Sequence, residues 1–132
     1  MPASLRIYET VIYASDVGAT AAFYRDVLEL KPIGTPPGFM AGFRLGDESV
    51  LLIFDPARSA VAGRDVPAHG TRGAGHLAFA VAPGSLEEWR TRLRVHSVEI
   101  EREVEWPRGG RSLYFRDPAD TSVELVEGEI WR

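Results

Sequence analysis

Apolar and polar positions along the chain fall into the same order of elements twice. From Arg6 to Ala14 the run Arg-Ile-Tyr-Glu-Thr-Val-Ile-Tyr-Ala is rich in β-branched and aromatic residues, which predicts a strand. Ser15 or Asp16 then stands as a helix N-cap. Phe23, Val27 and Leu30 follow at i, i+4 and i+7 with Ala19 and Ala22 on the same side, and Lys31-Pro32 ends the helix. After a turn-rich stretch from Gly34 to Gly38, two strands are predicted over Phe39 to Leu45 and Ser49 to Phe54. Gly46-Asp47-Glu48 joins them as a hairpin loop, and a short extra strand is expected near Pro32 to Thr35. Residues from Asp55 to Gly75 show neither a helical nor an alternating pattern and read as a connecting loop.

The order then repeats. Gly75 to Val81 is a strand. Ser85 and Glu88 form a capping box for a helix whose Leu86, Trp89 and Leu93 share one face. Val98 to Glu101, Arg111 to Arg116 and Ser122 to Glu127 are three more strands, turned by Pro107-Arg108-Gly109-Gly110 and Asp117-Pro118-Ala119-Asp120. The expected fold is α+β: two tandem βαβββ modules forming a shared curved sheet around a central cleft. Module one covers about 5–56, a linker 57–73 and module two about 74–128 of a single domain.

Composition narrows the chemistry. The 132 residues contain no cysteine, which removes disulfides, thiolate metal sites and Cys nucleophiles, and fits a cytoplasmic protein. Any metal must be held by nitrogen and oxygen. A net charge of −4 argues against nucleic acid as a partner. The absence of a long apolar run, and of a charged start followed by an apolar stretch after Met1-Pro2-Ala3, argues against membrane insertion and a secretory leader. Lys31 is the only lysine, so the positive charge is almost all arginine, whose planar fork suits small carboxylates and phosphates.

Polar residues that interrupt apolar strands carry the most information, because a buried charge is costly unless paired or bound to metal. Three qualify: Glu9 in the first strand of module one, His76 at the start of the first strand of module two, and Glu124 between Val123 and Leu125. Glu9 and His76 occupy corresponding positions of the repeat, which makes a nitrogen-and-oxygen metal site a reading of the three. Against it stand a solvated outer-face Glu9, a hydrogen-bonded core His76 and a Glu124 paired with arginine. His69 in the linker is a candidate general acid or base. Tyr13, Phe54, Trp106, Arg111 and Tyr114 are candidate pocket-lining groups, and Trp131 a contact for a partner subunit.

Glu9-Thr-Val-Ile-Tyr-Ala-Ser-Asp16 and Ala22-Phe23-Tyr24-Arg25-Asp26-Val27-Leu28 resemble the opening of the vicinal oxygen chelate superfamily. That group holds glyoxalase I, fosfomycin resistance enzymes, extradiol dioxygenases and bleomycin resistance proteins. Gly75-His76-Leu77-Ala78-Phe79-Ala80-Val81 and the stretch from Tyr114 to Glu127 resemble its second-module entry strand and closing hairpin. The resemblance implies that His76 and Glu124 are metal ligands and that Glu9 stands where relatives usually carry His or Gln. It also places a further glyoxalase ligand at Leu51 or Leu52, both apolar here. Three ligands leave about three open positions on an octahedral ion for a substrate that chelates through adjacent oxygens. The implied cofactor is a divalent metal ion (Fe, Mn, Ni, Co, Zn or Mg), with Glu124 able to act as catalytic base. The implied activity is that of a metal-dependent lyase or isomerase rather than a dioxygenase, since only one of the three ligands is histidine. The implied assembly is a homodimer, with modules paired within a chain or exchanged between subunits. The alternative is a metal-independent, bleomycin-resistance-like protein that binds a drug or other small molecule.

Overall fold

The computed structural model describes residues 4–34 and 38–131. Met1 to Ala3, and the part of the expected turn and extra strand that falls on Thr35, Pro36 and Pro37, lie outside the described residues. The chain divides into two compact units, residues 1–72 and 73–132.

The first unit runs β1 (Glu9–Tyr13), α1 (Val17–Asp26), β2 (Lys31–Pro32), β3 (Met40–Leu45), β4 (Ser49–Phe54) and a short α2 (Pro56–Ser59). Its sheet has the order β1-β4-β3-β2, with β1 parallel to β4 and the other pairs antiparallel. The second unit runs β5 (His76–Ala80), α3 (Leu86–Val95), β6 (Arg102–Glu105), β7 (Arg111–Arg116) and β8 (Ser122–Glu127), with the order β5-β8-β7-β6 and the same pattern of directions. The repeat read from the sequence is therefore a repeat of topology, in an α+β fold.

The register makes the correspondence residue by residue. Glu9 opens β1 opposite Val50, and His76 opens β5 opposite Ser122. Counting two residues on, Leu52 in β4 is the equivalent of Glu124 in β8, so the apolar substitution expected at Leu51 or Leu52 falls on Leu52.

In each unit the helix covers one sheet face. Asp16 caps α1 by accepting from the Ala19 amide at 2.9 Å, and the helix buries Val17, Thr20 and Tyr24 while packing on β3 and β4. The ring of Tyr24 meets that of Phe43 at 6.4 Å, and Leu51 and Ile53 are fully buried. This stripe differs from the expected one: Tyr24 points into the core and Phe23, set edge-on to it, is only half-buried. The helix ends before Leu30, whose amide bonds back to the Tyr24 carbonyl across a left-handed Glu29. In the second unit Leu86 and Leu93 of α3 are buried, as are Leu113, Phe115, Val123 and Leu125 of the sheet.

Other departures have local causes. Ladder pairing of β1 starts only at Glu9, leaving Leu5, Ile7 and Tyr8 exposed. Asp55 accepts from the Ala57 amide and Pro56 sits in the first turn, which nucleates α2 inside the stretch read as loop. Ser85 has helical backbone angles, so its hydroxyl donates back to the Ala82 carbonyl and no capping box forms. The strand expected over Val98 to Glu101 lies instead at Arg102–Glu105, because Ser97 takes a left-handed conformation and the Val98 amide is spent on the Leu93 carbonyl at the end of α3. No helix of the described residues is long and apolar enough to cross a membrane.

Candidate functional site

The sheet face of the second unit that alternates with Leu77, Phe79, Val123 and Leu125 carries His76, Ala78 and Ala80 from β5, Glu124 and Val126 from β8, and Ser112 and Tyr114 from β7. Small alanines on β5 and the inward Glu124 leave a hollow of about 570 Å³. Trp106, Gly128, Glu129, Ile130 and Trp131 complete its wall. The last three reach it because the backbone after β8 passes closely over Gly110, where a Cβ would lie 2.5 Å from the Glu129 carbonyl oxygen. The Gly110 amide donates to that carbonyl. A side chain at this position would push the Ile130 and Trp131 wall away.

At the floor of the hollow two of the three predicted ligands meet: His76 Nε2 stands 3.2 Å from Glu124 Oε1. The opposite ring nitrogen, Nδ1, lies 3.0 Å from the Ser122 carbonyl oxygen. A carbonyl only accepts, so Nδ1 carries the hydrogen, and Nε2 is the ring nitrogen that faces the Glu124 carboxylate. Two acceptors at that separation repel unless a cation, a proton or a metal ion, lies between them. A backbone carbonyl fixing the tautomer of a ligating histidine is the usual outer-shell arrangement around bound metals. The chemistry of this donor pair therefore fits a divalent ion. The Tyr114 ring stacks beside His76 at 6.2 Å and 22°.

Glu124 is held from its other side. Ser112, 1% exposed, donates its hydroxyl to Glu124 Oε2 at 2.6 Å and accepts from Trp106 Nε1–H at 2.8 Å. One carboxylate oxygen is thus tied to the chain, and the other faces His76 and the hollow. Burial, and after it the hydrogen bond with Glu124, pushes the Tyr114 phenol above its ordinary value.

Glu9 lies in the first unit, exposed at the start of β1 on the face shared with Val11, Tyr13, Leu52 and Phe54. Within each unit, among the described residues, no three His, Asp or Glu side chains cluster as a complete ligand set. His69 also belongs to the first unit. Its Nδ1 is 2.7 Å from the Tyr13 hydroxyl and its ring meets Phe54 edge-on at 4.8 Å. Its backbone is clamped by Ser59, whose hydroxyl donates to the His69 carbonyl and whose own carbonyl accepts the His69 amide. Tyr13 and Phe54 thus hold His69, Trp106 and Tyr114 line the hollow, and Arg111 is drawn away to Glu87 and Glu127.

Ser112 was not legible as a functional residue. A serine in a strand carries no chemical signal alone, but the alternation of Arg111 to Arg116 across the hairpin from Glu124 puts Ser112 and Tyr114 on one face. Ala78, Ala80, Val126 and Ile130 are ordinary apolar positions whose place in the wall depends on tertiary structure.

Three comparisons bear on this arrangement. The model of the family described as Glyoxalase/Bleomycin resistance protein/Dioxygenase superfamily matches residues 6–125. The metallothiol transferase FosB of Staphylococcus saprophyticus is 30% identical over 118 residues, covering 88% of this chain and 72% of that protein. A Bacillus subtilis protein described as a ring-cleaving dioxygenase, MhqE, is 26% identical over 129 residues. The chain spans only 41% of its length. Among solved structures, the lactoylglutathione lyase of Agrobacterium tumefaciens superposes with a TM-score of 0.89 at 40% identity, covering 99% of this chain and 98% of that one.

Proposed function

The chain belongs to the Glyoxalase/Bleomycin resistance protein/Dioxygenase superfamily, and from that premise we propose that it is a divalent-metal-dependent enzyme of the lyase or isomerase type. Its substrate is a small molecule that offers two adjacent oxygens to the metal. The observation that carries this reading is the approach of His76 Nε2 to Glu124 Oε1 at 3.2 Å, with an accepting carbonyl behind the imidazole and a donating hydroxyl behind the carboxylate. His76 and Glu124 are two ligands and Glu9 the third, from the same chain or from the partner of a homodimer. When bound, a divalent ion polarises the substrate's oxygens and lowers the cost of developing negative charge on them.

The chain's own residues do the rest. Ser112 and Trp106 hold Glu124 through Oε2, which leaves Oε1 as the oxygen that would hold a metal and that can take a proton from substrate. The Ser122 carbonyl orients the imidazole through Nδ1, and the Tyr114 ring lies beside it. Trp106, Ile130, Trp131, Val126, Ala78 and Ala80 form an apolar wall that excludes water from the polarised oxygens and takes an apolar portion of the substrate. A lyase or isomerase is favoured over an oxygenase because the set holds one histidine and two carboxylates, not two histidines and one carboxylate. The dioxygenase and transferase names among the relatives keep those reaction types as the alternatives for the same site. The cytoplasmic setting expected from the sequence completes the reading.

The test is elemental analysis of protein purified without chelator or affinity tag. The expected result is a stoichiometric divalent metal that is lost in Glu124→Ala and His76→Ala. Absence of metal together with retention of a small-molecule ligand in EDTA would instead establish the metal-independent, bleomycin-resistance-like binding protein.

A further inference from the structure

The metal reading leaves unused the aromatic and cationic cluster around His69. It lies entirely within the first unit. Phe54 of β4 carries the His69 ring on one side and packs against Phe39 at 6.4 Å on the other. Phe39 in turn carries two guanidinium groups, Arg58 at 5.1 Å and Arg64 at 5.6 Å from its ring centre. Arg64 donates one N–H to the Ser59 carbonyl, so Arg64 and His69 hang from the same fully buried residue.

This cluster holds an excess of donors. Each guanidinium offers five N–H groups. Among the described residues no carboxylate is paired with Arg58 or Arg64, whereas Arg6, Arg25, Arg90, Arg111 and Arg116 each meet one. His69 Nδ1 is engaged with the Tyr13 hydroxyl, and its Nε2 has no partner among the described residues. When Tyr13 donates to Nδ1, Nε2 carries the hydrogen and is available as a donor. Stacking on Phe39 and the two bonds to Ser59 fix the cations and the imidazole before any ligand arrives, which reduces the entropy lost on binding.

We propose that His69, Arg58 and Arg64 form an anion-binding subsite that takes a carboxylate or phosphate group of the substrate. The register sets its position. Tyr13 and Phe54 lie four residues along β1 and β4 from Glu9 and Val50, a path of ~13 Å at ~3.3 Å per residue. His69 accordingly serves the far end of a substrate whose chelating oxygens sit at Glu9, and its role is recognition by hydrogen bonding rather than proton transfer at the chelated centre. This placement rests on the metal reading above. The binding of an anion does not, and it is measured without metal.

The experiment is an NMR titration of the whole chain, labelled at histidine and arginine side chains, in EDTA. Inorganic phosphate and propionate are the two probes, and the relative affinities tell a phosphate group from a carboxylate. His69 signals are identified by their loss in His69→Asn. The expected result is a saturable millimolar shift at His69 and at the Arg58 and Arg64 Nε signals, weakened about tenfold in Arg58→Gln/Arg64→Gln. Arg64→Lys, which keeps the charge and removes the fork, should show an intermediate loss and stands in if the double variant does not fold. No shift at His69, a shift confined to His76, or a His69 shift of equal affinity in the variants would each overturn the proposal. Failure here with stoichiometric metal present would leave the metal reading standing, and the reverse outcome would leave the subsite standing.

Discussion

Replacing Ser112 by alanine tests the logic of the hollow most directly. Its hydroxyl is buried, donates to Glu124 Oε2 at 2.6 Å and receives Trp106 Nε1–H at 2.8 Å. The short distance is that of a charge-assisted O–H···O bond. Its loss from a buried carboxylate is worth about 1.5–3 kcal/mol, and the stranded indole donor adds to that. In EDTA the variant should therefore unfold at lower urea, with an unchanged slope. A second effect is separate: Glu124 loses the partner that aims its free oxygen. Outer-shell partners of metal ligands are worth about 10–100-fold in affinity, or about 1.4–2.7 kcal/mol. Calorimetric titration of metal-free protein with manganese or zinc reads this directly, and Trp106→Phe, alone and combined with Ser112→Ala, completes a double-mutant cycle. The two changes should be strongly non-additive, because the second removes an interaction the first has already broken. A Ser112→Ala variant that binds metal within about twofold of the unaltered chain would refute the claim that Ser112 orients a ligand.

Two further outcomes follow from features away from the hollow. Thr20 of α1 is 1% exposed, and its hydroxyl has no hydrogen-bond partner among the described residues. Thr20→Val should raise stability by about 1 kcal/mol in urea denaturation, and a loss of stability would contradict the assignment of an unsatisfied hydroxyl. The Glu101 carboxyl is held below its ordinary value chiefly by the Arg116 hydrogen bond, and Glu87 and Glu103 chiefly by Arg90. A depressed carboxylate contributes stability above its unfolded pKa, near 4.5, and loses it as pH falls through the folded value. Acidification through that window should therefore shift the urea midpoint further in the unaltered chain than in Arg116→Gln, and equal shifts would discount the pair.

Much of this architecture could be read from residue order. β4, β7 and β8 match the predicted spans to the residue, because each is a buried or half-buried strand whose ends are set by turn residues. The displaced β6 shows the opposite case. Val98-Glu99-Ile100-Glu101 alternates well, but the helix terminus before it consumed the Val98 amide, a local hydrogen bond that overrides the pattern. His76 and Glu124 were visible as polar interruptions of apolar strands, and their approach follows from the parallel register of β5 and β8. Ser112, Trp106 as its donor, and the Phe39 platform under Arg58 and Arg64 were not visible. Each owes its role to a partner distant in sequence or to a side-chain orientation that periodicity does not carry.

The equivalence of Leu52 and Glu124 has a consequence for how such a chain can change. Two copies of one topology give every position a counterpart, so a residue type favoured on one side has a sterically prepared seat on the other. Here the copies have parted company: one carries an imidazole and a carboxylate, while its twin carries a carboxylate at the strand start and a leucine beyond it. A duplicated scaffold can thus hold its geometry in one half and experiment in the other. Glu9→His and Leu52→Glu are the two steps by which the quieter half would come to mirror its sibling.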